Sequence, residues 1–190
     1  MIGRWFGSLL IGLVLLGAPA IGSVARGGTD EVPARPPVVA DAFWRHWGDG
    51  RAERGHYALT FPRYGDPRAG TAVAIFVTEP FSNSAVVKAD PGRHPESDVF
   101  QVIKLNLVKD FPTGVYDYNT LLSAFVGLQA IDRRPVGAPV KLTYSSQEWC
   151  GHVFHQAVFE EDGLRESIRS YFDGEGDVDV RREAPDGAVA

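Results

Sequence analysis

The densest run of polar, aromatic and reactive side chains in this 190-residue sequence is Ser145-Ser146-Gln147-Glu148-Trp149-Cys150-Gly151-His152. Read as extended chain, it puts Glu148, Cys150 and His152 on one face at intervals of two. An imidazole that draws the proton from a thiol, with a carboxylate orienting the ring, is the equipment of a thiol-dependent hydrolase or transferase. Same-face neighbours on a strand stand roughly 7 Å apart. Direct Cys150–His152 contact therefore requires a bulge, which Gly151 can supply. The plainer reading packs Cys150 as a small hydrophobe and bonds His152 to backbone. Cys150, His152 and His155 are also zinc ligands by type, but His155 faces away on a regular strand, so no metal is expected. Asp173, Glu175, Asp177 and Asp179 suggest calcium by composition. Val178, however, stands where a calcium loop needs glycine, and the segment reads as solvated.

A second constellation is Lys88 with Asp90 and Lys104 with Asn106, set in strongly apolar strands. If that face is enclosed, Lys104 needs a partner, for which Glu79 and Glu148 are the candidates. Otherwise its stem lies along apolar surface and its head stays wet. The sharper reading joins Lys88, Lys104, Asn106, Tyr116, Tyr118, Glu148 and Trp149 into a ligand-binding patch in a concave sheet, with the aromatic rings as walls. The sequence holds no GxGxxG fingerprint, phosphate loop or GxSxG elbow. No cofactor is expected, and the balance favours binding over enzymatic activity.

The elements that must position these residues read as strands. Asp41 can cap a short helix holding Phe43, Trp44 and Trp47, which Gly48-Asp49-Gly50 ends. Tyr57, Leu59 and Phe61 alternate with polar or small residues at period two. A turn is expected over residues 63–70. Thr71–Glu79 is apolar on both faces, which suits a central strand. A short strand over residues 85–89 and a polar loop over 90–97 follow. Val99–Lys109 is the clearest strand, with Lys104 and Asn106 pointing the same way. Residues 115–125 fit either a strand or a helical stripe through Leu121, Leu122 and Phe125. Val140, Leu142 and Tyr144 alternate, residues 151–159 extend again, and residues 164–172 are the last candidate strand. About seven or eight short strands with frequent turns predict a mainly β domain, an antiparallel curved sheet or open half-barrel with a short N-terminal helix.

The ends read differently. Arg4, the apolar run Leu9–Leu16 and Ala18-Pro19-Ala20 have the order of a secretory signal peptide over residues 1–20. The apolar run is far short of the roughly 20 residues a spanning helix needs. Export to the periplasm or beyond is the implication, with no transmembrane segment in the mature chain. Residues 21–41, with Pro33, Pro36 and Pro37, read as a disordered linker. The β domain is expected over 42–178 and a frayed tail over 179–190, with a C-terminal closing part expected to be missing. A formal net charge of −5 disfavours nucleic acid and anionic membrane surfaces as partners. The single cysteine excludes an internal disulfide, and its position excludes a lipoprotein anchor.

Several phrases resemble an uncharacterised family of exported bacterial proteins. They are Arg63-Tyr64-Gly65, Arg68-x-Gly70-Thr71-Ala72-Val73 and Ile75-Phe76-Val77-Thr78-Glu79. Val87-Lys88-x-Asp90, Lys104-Leu105-Asn106 and Phe111-x-Thr113-Gly114-Val115-Tyr116-x-Tyr118 follow. The last are the QEWCGH phrase over residues 147–152, the most specific, and Tyr171-Phe172-x-Gly174-Glu175-Gly176-Asp177. The match spans Phe43 to Asp177. Members often carry the label "septum formation inhibitor Maf", which does not suit an exported chain, since Maf proteins are cytosolic nucleotide pyrophosphatases. Members also continue further, and many are lipoproteins. The resemblance implies no activity. The leading expectation is an exported envelope protein that binds a small or lipid-like ligand in a concave sheet. The alternatives are thiol chemistry at Cys150 and His152, and an envelope assembly component pairing through a sheet edge.

Overall fold

The computed structural model describes residues 38–183. The expected signal peptide, most of the expected linker and residues 184–190 lie outside the described residues. A short helix, α1 (Asp41–Trp47), precedes nine strands. These are β1 (Glu53–Arg63), β2 (Asp66–Ser82), β3 (Val87–Lys88), β4 (Val99–Pro112), β5 (Asp117–Gly127), β6 (Pro139–Glu148), β7 (Gly151–Glu160), β8 (Gly163–Ser170) and β9 (Val178–Glu183). They form one antiparallel sheet in the order β1-β2-β4-β5-β6-β7-β8-β9, with β3 paired to the end of β2. It is an open sheet, with β1 and β9 as its outermost strands. No helix among the described residues is long and apolar enough to cross a membrane.

The two faces differ in chemistry because side chains alternate across the pleat. One cross-strand row reads Phe76, Leu105, Ala124, Leu142 and Ala157. The adjacent row on the opposite face reads Val77, Lys104, Phe125, Lys141 and Val158. The apolar face is the inner one. Arg63 of β1 hydrogen-bonds to Tyr118 of β5 at 2.6 Å. In a flat sheet these strands stand three spacings apart, roughly 14 Å, so the sheet rolls toward the face that carries both. Helix α1 packs on this face, with the Trp47 ring 6.1 Å from Phe76 and its carbonyl accepting from Thr78 Oγ1.

The enclosed core lies elsewhere, on the outer face at one end. Phe81, Phe100, Val102 and Val140 are buried there, with Val86 and Ile131 packed against them from the β2–β4 and β5–β6 connections. Lys141 Nζ donates to the Val86 carbonyl and Arg134 to that of Phe159, which holds both connections down.

Four local readings change. The helix begins after Ala40, and Asp41 is its first residue rather than its cap. The turn expected over 63–70 shrinks to Tyr64-Gly65, because β2 already pairs with β1 from Asp66. Residues 117–127 are a strand, since β4 and β6 pair with both edges of β5. The expected frayed tail contains β9, whose Val178 and Val180 share the inner face. Its charges are matched across the ladder, Arg169 to Asp179 at 2.8 Å and Arg181 to Asp162 at 2.7 Å.

Asp98 ties the β2–β4 connection together. It accepts from Ser82 Oγ at 2.6 Å, Ser84 N at 2.8 Å and Ser84 Oγ at 3.0 Å. These bonds, the Ser82 one foremost, hold its carboxyl below the ordinary range. A carboxylate depressed in the fold stabilises at pH above its unfolded value, about 3.9, and loses that contribution as pH falls through its folded value. In urea titrations, the stability gap between wild type and Asp98→Ala is expected to close as the pH falls below about 4. A gap that widened below about pH 4 would contradict this.

Candidate functional site

Antiparallel meanders send alternate turns to the same end of the sheet. The β1–β2, β4–β5 and β6–β7 turns meet in this way, and their side chains converge over the rim of the inner face. The β1–β2 turn has left-handed backbone at both central residues, Tyr64 (φ 56°) and Gly65 (φ 84°). Two-residue hairpins favour this geometry, and asparagine usually takes the first place. A tyrosine there is disfavoured by its backbone and is held by its side chain. Its hydroxyl lies 2.6 Å from that of Tyr118 and 2.9 Å from that of Tyr116.

Below this turn, Phe111 of β4 faces Tyr118 of β5, and their rings stack at 5.2 Å. Gly70 of β2 sits beside Phe111, where any Cβ would collide with the Asp110 carbonyl oxygen and with Phe111 itself. Glycine therefore permits the close approach of β2 to β4. Arg63 reaches across from β1. Its Nη2 donates to Tyr118, and its guanidinium lies 4.6 Å from the Tyr118 ring centre and 4.8 Å from that of Tyr64.

Glu148, the last residue of β6, comes in beside Tyr118. Its side chain is only 3% exposed, and its Oε1 lies 4.0 Å from Arg63 Nη2. Its Oε2 is buried without a hydrogen-bond partner, as are the Nε atoms of Arg63 and Arg68. Burial, and then the Glu148 carboxylate, push the Tyr118 phenol well above its usual range; the Tyr64 hydroxyl bond raises that of Tyr116. Both phenols stay protonated and remain neutral donors at any physiological pH.

The polar-aromatic run over residues 145–152 carries the β6–β7 turn. Trp149 and Cys150 are the turn residues, with Glu148 paired to Gly151 and Gln147 to His152. The reversal puts Glu148 on the inner face and His152 on the outer, so the aligned Glu148–Cys150–His152 set does not form. Cys150 is exposed, and its Sγ lies 3.8 Å from the Tyr116 hydroxyl. His155 is on the inner face with Glu166, at 3.2 Å. Trp149 stacks on Tyr116 at 5.5 Å and projects into solvent.

The expected recognition patch is thus divided between the two sides of the sheet. Tyr116, Tyr118, Glu148 and Trp149 gather at the inner rim. Lys104 and Asn106 are on the outer face, where Lys104 Nζ donates to the buried Glu79 at 2.8 Å and Asn106 accepts from Ser123 at 2.6 Å. Lys88 is exposed on β3. Glu79, not Glu148, is the lysine's partner. Arg63, Tyr64 and Arg68 belong to the rim but were not singled out as binding residues. The available signal was an arginine-tyrosine pair at a tight hairpin, where neither residue suits the turn. No protein-family model matches the chain, and neither does any curated protein or solved structure.

Proposed function

We propose that this chain is an exported cell-envelope protein that binds an amphipathic, lipid-like small molecule on the inner face of its open sheet. The apolar part of the ligand lies along Leu105, Ala124 and Leu142, and its head is held at the rim. The carrying observation is the trio of buried, unpartnered polar atoms (Arg63 Nε, Arg68 Nε and Glu148 Oε2) at the mouth of an apolar trough. Such atoms are costly unless something supplies their missing bonds. The leader pattern at residues 1–20 supports export.

N-phenyl-1-naphthylamine, which fluoresces in apolar surroundings, tests the trough on the purified protein. A saturable enhancement is expected, weakened at least about tenfold by Leu105→Glu, which places a charge mid-trough. Ala124→Trp fills the same space without adding charge and should reduce binding in a protein of unchanged circular dichroism. Absence of enhancement in the wild type, or full binding by Ala124→Trp, would refute the proposal.

A second reading is favoured by the eleven-residue edge strand β1, whose ladder is formed on one side by β2. An assembly component would use that edge to add a strand from a partner. Concentration-dependent association in sedimentation velocity separates it from a monomeric binder.

A further inference from the structure

Building on the reading of an amphiphile in the trough, we propose that the rim selects a zwitterionic headgroup, an ammonium beside a phosphate. In the β1–β2 hairpin, Arg63 pairs with Asp66 and Phe61 with Arg68. The two arginines are therefore diagonal neighbours on the inner face, close enough to share one ligand group. Each has a buried Nε–H without an acceptor, and Glu148, whose side chain is 3% exposed, has an oxygen without a donor. A ligand that completes all three must present acceptor oxygens to the arginines and an N–H to the carboxylate.

Few headgroups do both. A phosphate alone serves the arginines but leaves the Glu148 Oε2 without a donor and places a like charge near it. A trimethylammonium brings positive charge without an N–H. A primary ammonium next to a phosphodiester supplies both halves, and hydrogen bonds to charged groups are the strong ones. Tyr64 lies over this position on its two-residue turn and is 60% exposed. Its hydroxyl contacts are what an entering headgroup displaces, and Tyr116 and Tyr118 remain behind it as neutral donors.

The same chemistry occurs in a phospholipid headgroup and in free phosphoethanolamine, so the experiment includes both. Purified protein is titrated calorimetrically with dihexanoyl-phosphatidylethanolamine, its phosphatidylcholine and phosphatidylglycerol counterparts, and free phosphoethanolamine. The ethanolamine lipid is expected to bind at least about tenfold tighter than the choline and glycerol lipids, the effect of one charged hydrogen bond. Weaker binding of free phosphoethanolamine supports a lipid source. Equal binding keeps the headgroup assignment but removes the apolar trough from the reading. Glu148→Gln should bring the ethanolamine and choline lipids within about twofold while naphthylamine binding persists. Arg68→Gln, which leaves Glu148 in place, should weaken both lipids together and leave their ratio intact. Equal affinity for all three lipids overturns the headgroup proposal and leaves the trough standing. Binding of none of them, with no naphthylamine signal, overturns both.

Discussion

Arg63→Ala is expected to destabilise the protein by about 2–3 kcal/mol in urea unfolding. Removing one partner of a fully buried ion pair costs about 3–5 kcal/mol, chiefly because the surviving charge is left without compensation. Here the survivor is Glu148, 3% exposed, while the Arg63 side chain is 39% exposed and partly screened by water. The expected loss is therefore below the fully buried figure. The variant also loses the 2.6 Å bond to Tyr118 and the stacking of the guanidinium on two tyrosine rings. The diagnostic is the background. In a Glu148→Gln protein no charge is left behind, and the same substitution should cost about 1 kcal/mol, the worth of an ordinary hydrogen bond. Equal costs in the two backgrounds would mean that Arg63 does not compensate Glu148, and the electrostatic description of the rim would fail.

The larger loss should come from Phe81→Ala, about 3–5 kcal/mol. Phe81 is 2% exposed and meets Phe125 at 5.1 Å and Phe100 edge-on at 6.2 Å. A single-layer sheet encloses little, and most of its apolar side chains are only half covered. Besides the Phe111–Tyr118 stack at the rim, full burial is reached in the cluster under the two connections, with Phe81, Phe100, Val102 and Val140 at its centre. A native domain has about 5–15 kcal/mol of net stability. Emptying this cluster should therefore lower the melting temperature by about 10 °C. The trough lies on the opposite face, so molecules that remain folded should still bind the naphthylamine. A loss under about 1 kcal/mol would show that the site collapses around the cavity and that the cluster is not the anchor of the fold.

Much of the architecture was legible because a strand writes its own pattern. Tyr57, Leu59 and Phe61 alternate, as do Val140, Leu142 and Tyr144, and the open antiparallel sheet with one short helix follows from such runs separated by turn residues. Strand β9 was missed for a specific reason. Asp177 and Asp179 look like solvated acids until β8 is placed alongside and Arg169 meets Asp179, which only pairing does. The helical stripe through Leu121, Leu122 and Phe125 was ambiguous for the same reason. Partners on both edges decide such a segment, and the segment itself does not contain them.

The candidate site was half legible. Tyr116, Tyr118, Glu148 and Trp149 stand out as polar-aromatic residues in apolar company, whereas Lys104 and Asn106 looked equivalent and lie on the other face. Alternation tells which side chains share a side of the sheet and is silent on which side becomes the interior. That choice arises when the whole sheet rolls, and the roll brings Arg63 of β1 to Tyr118 of β5. Most of the strands and turns were determined by the sequence alone, because alternation and turn chemistry are properties of neighbouring residues. The rim, its unpartnered atoms and the direction of the trough were decided by the tertiary structure, because they require distant turns to be carried to one place by the curvature of every strand between them.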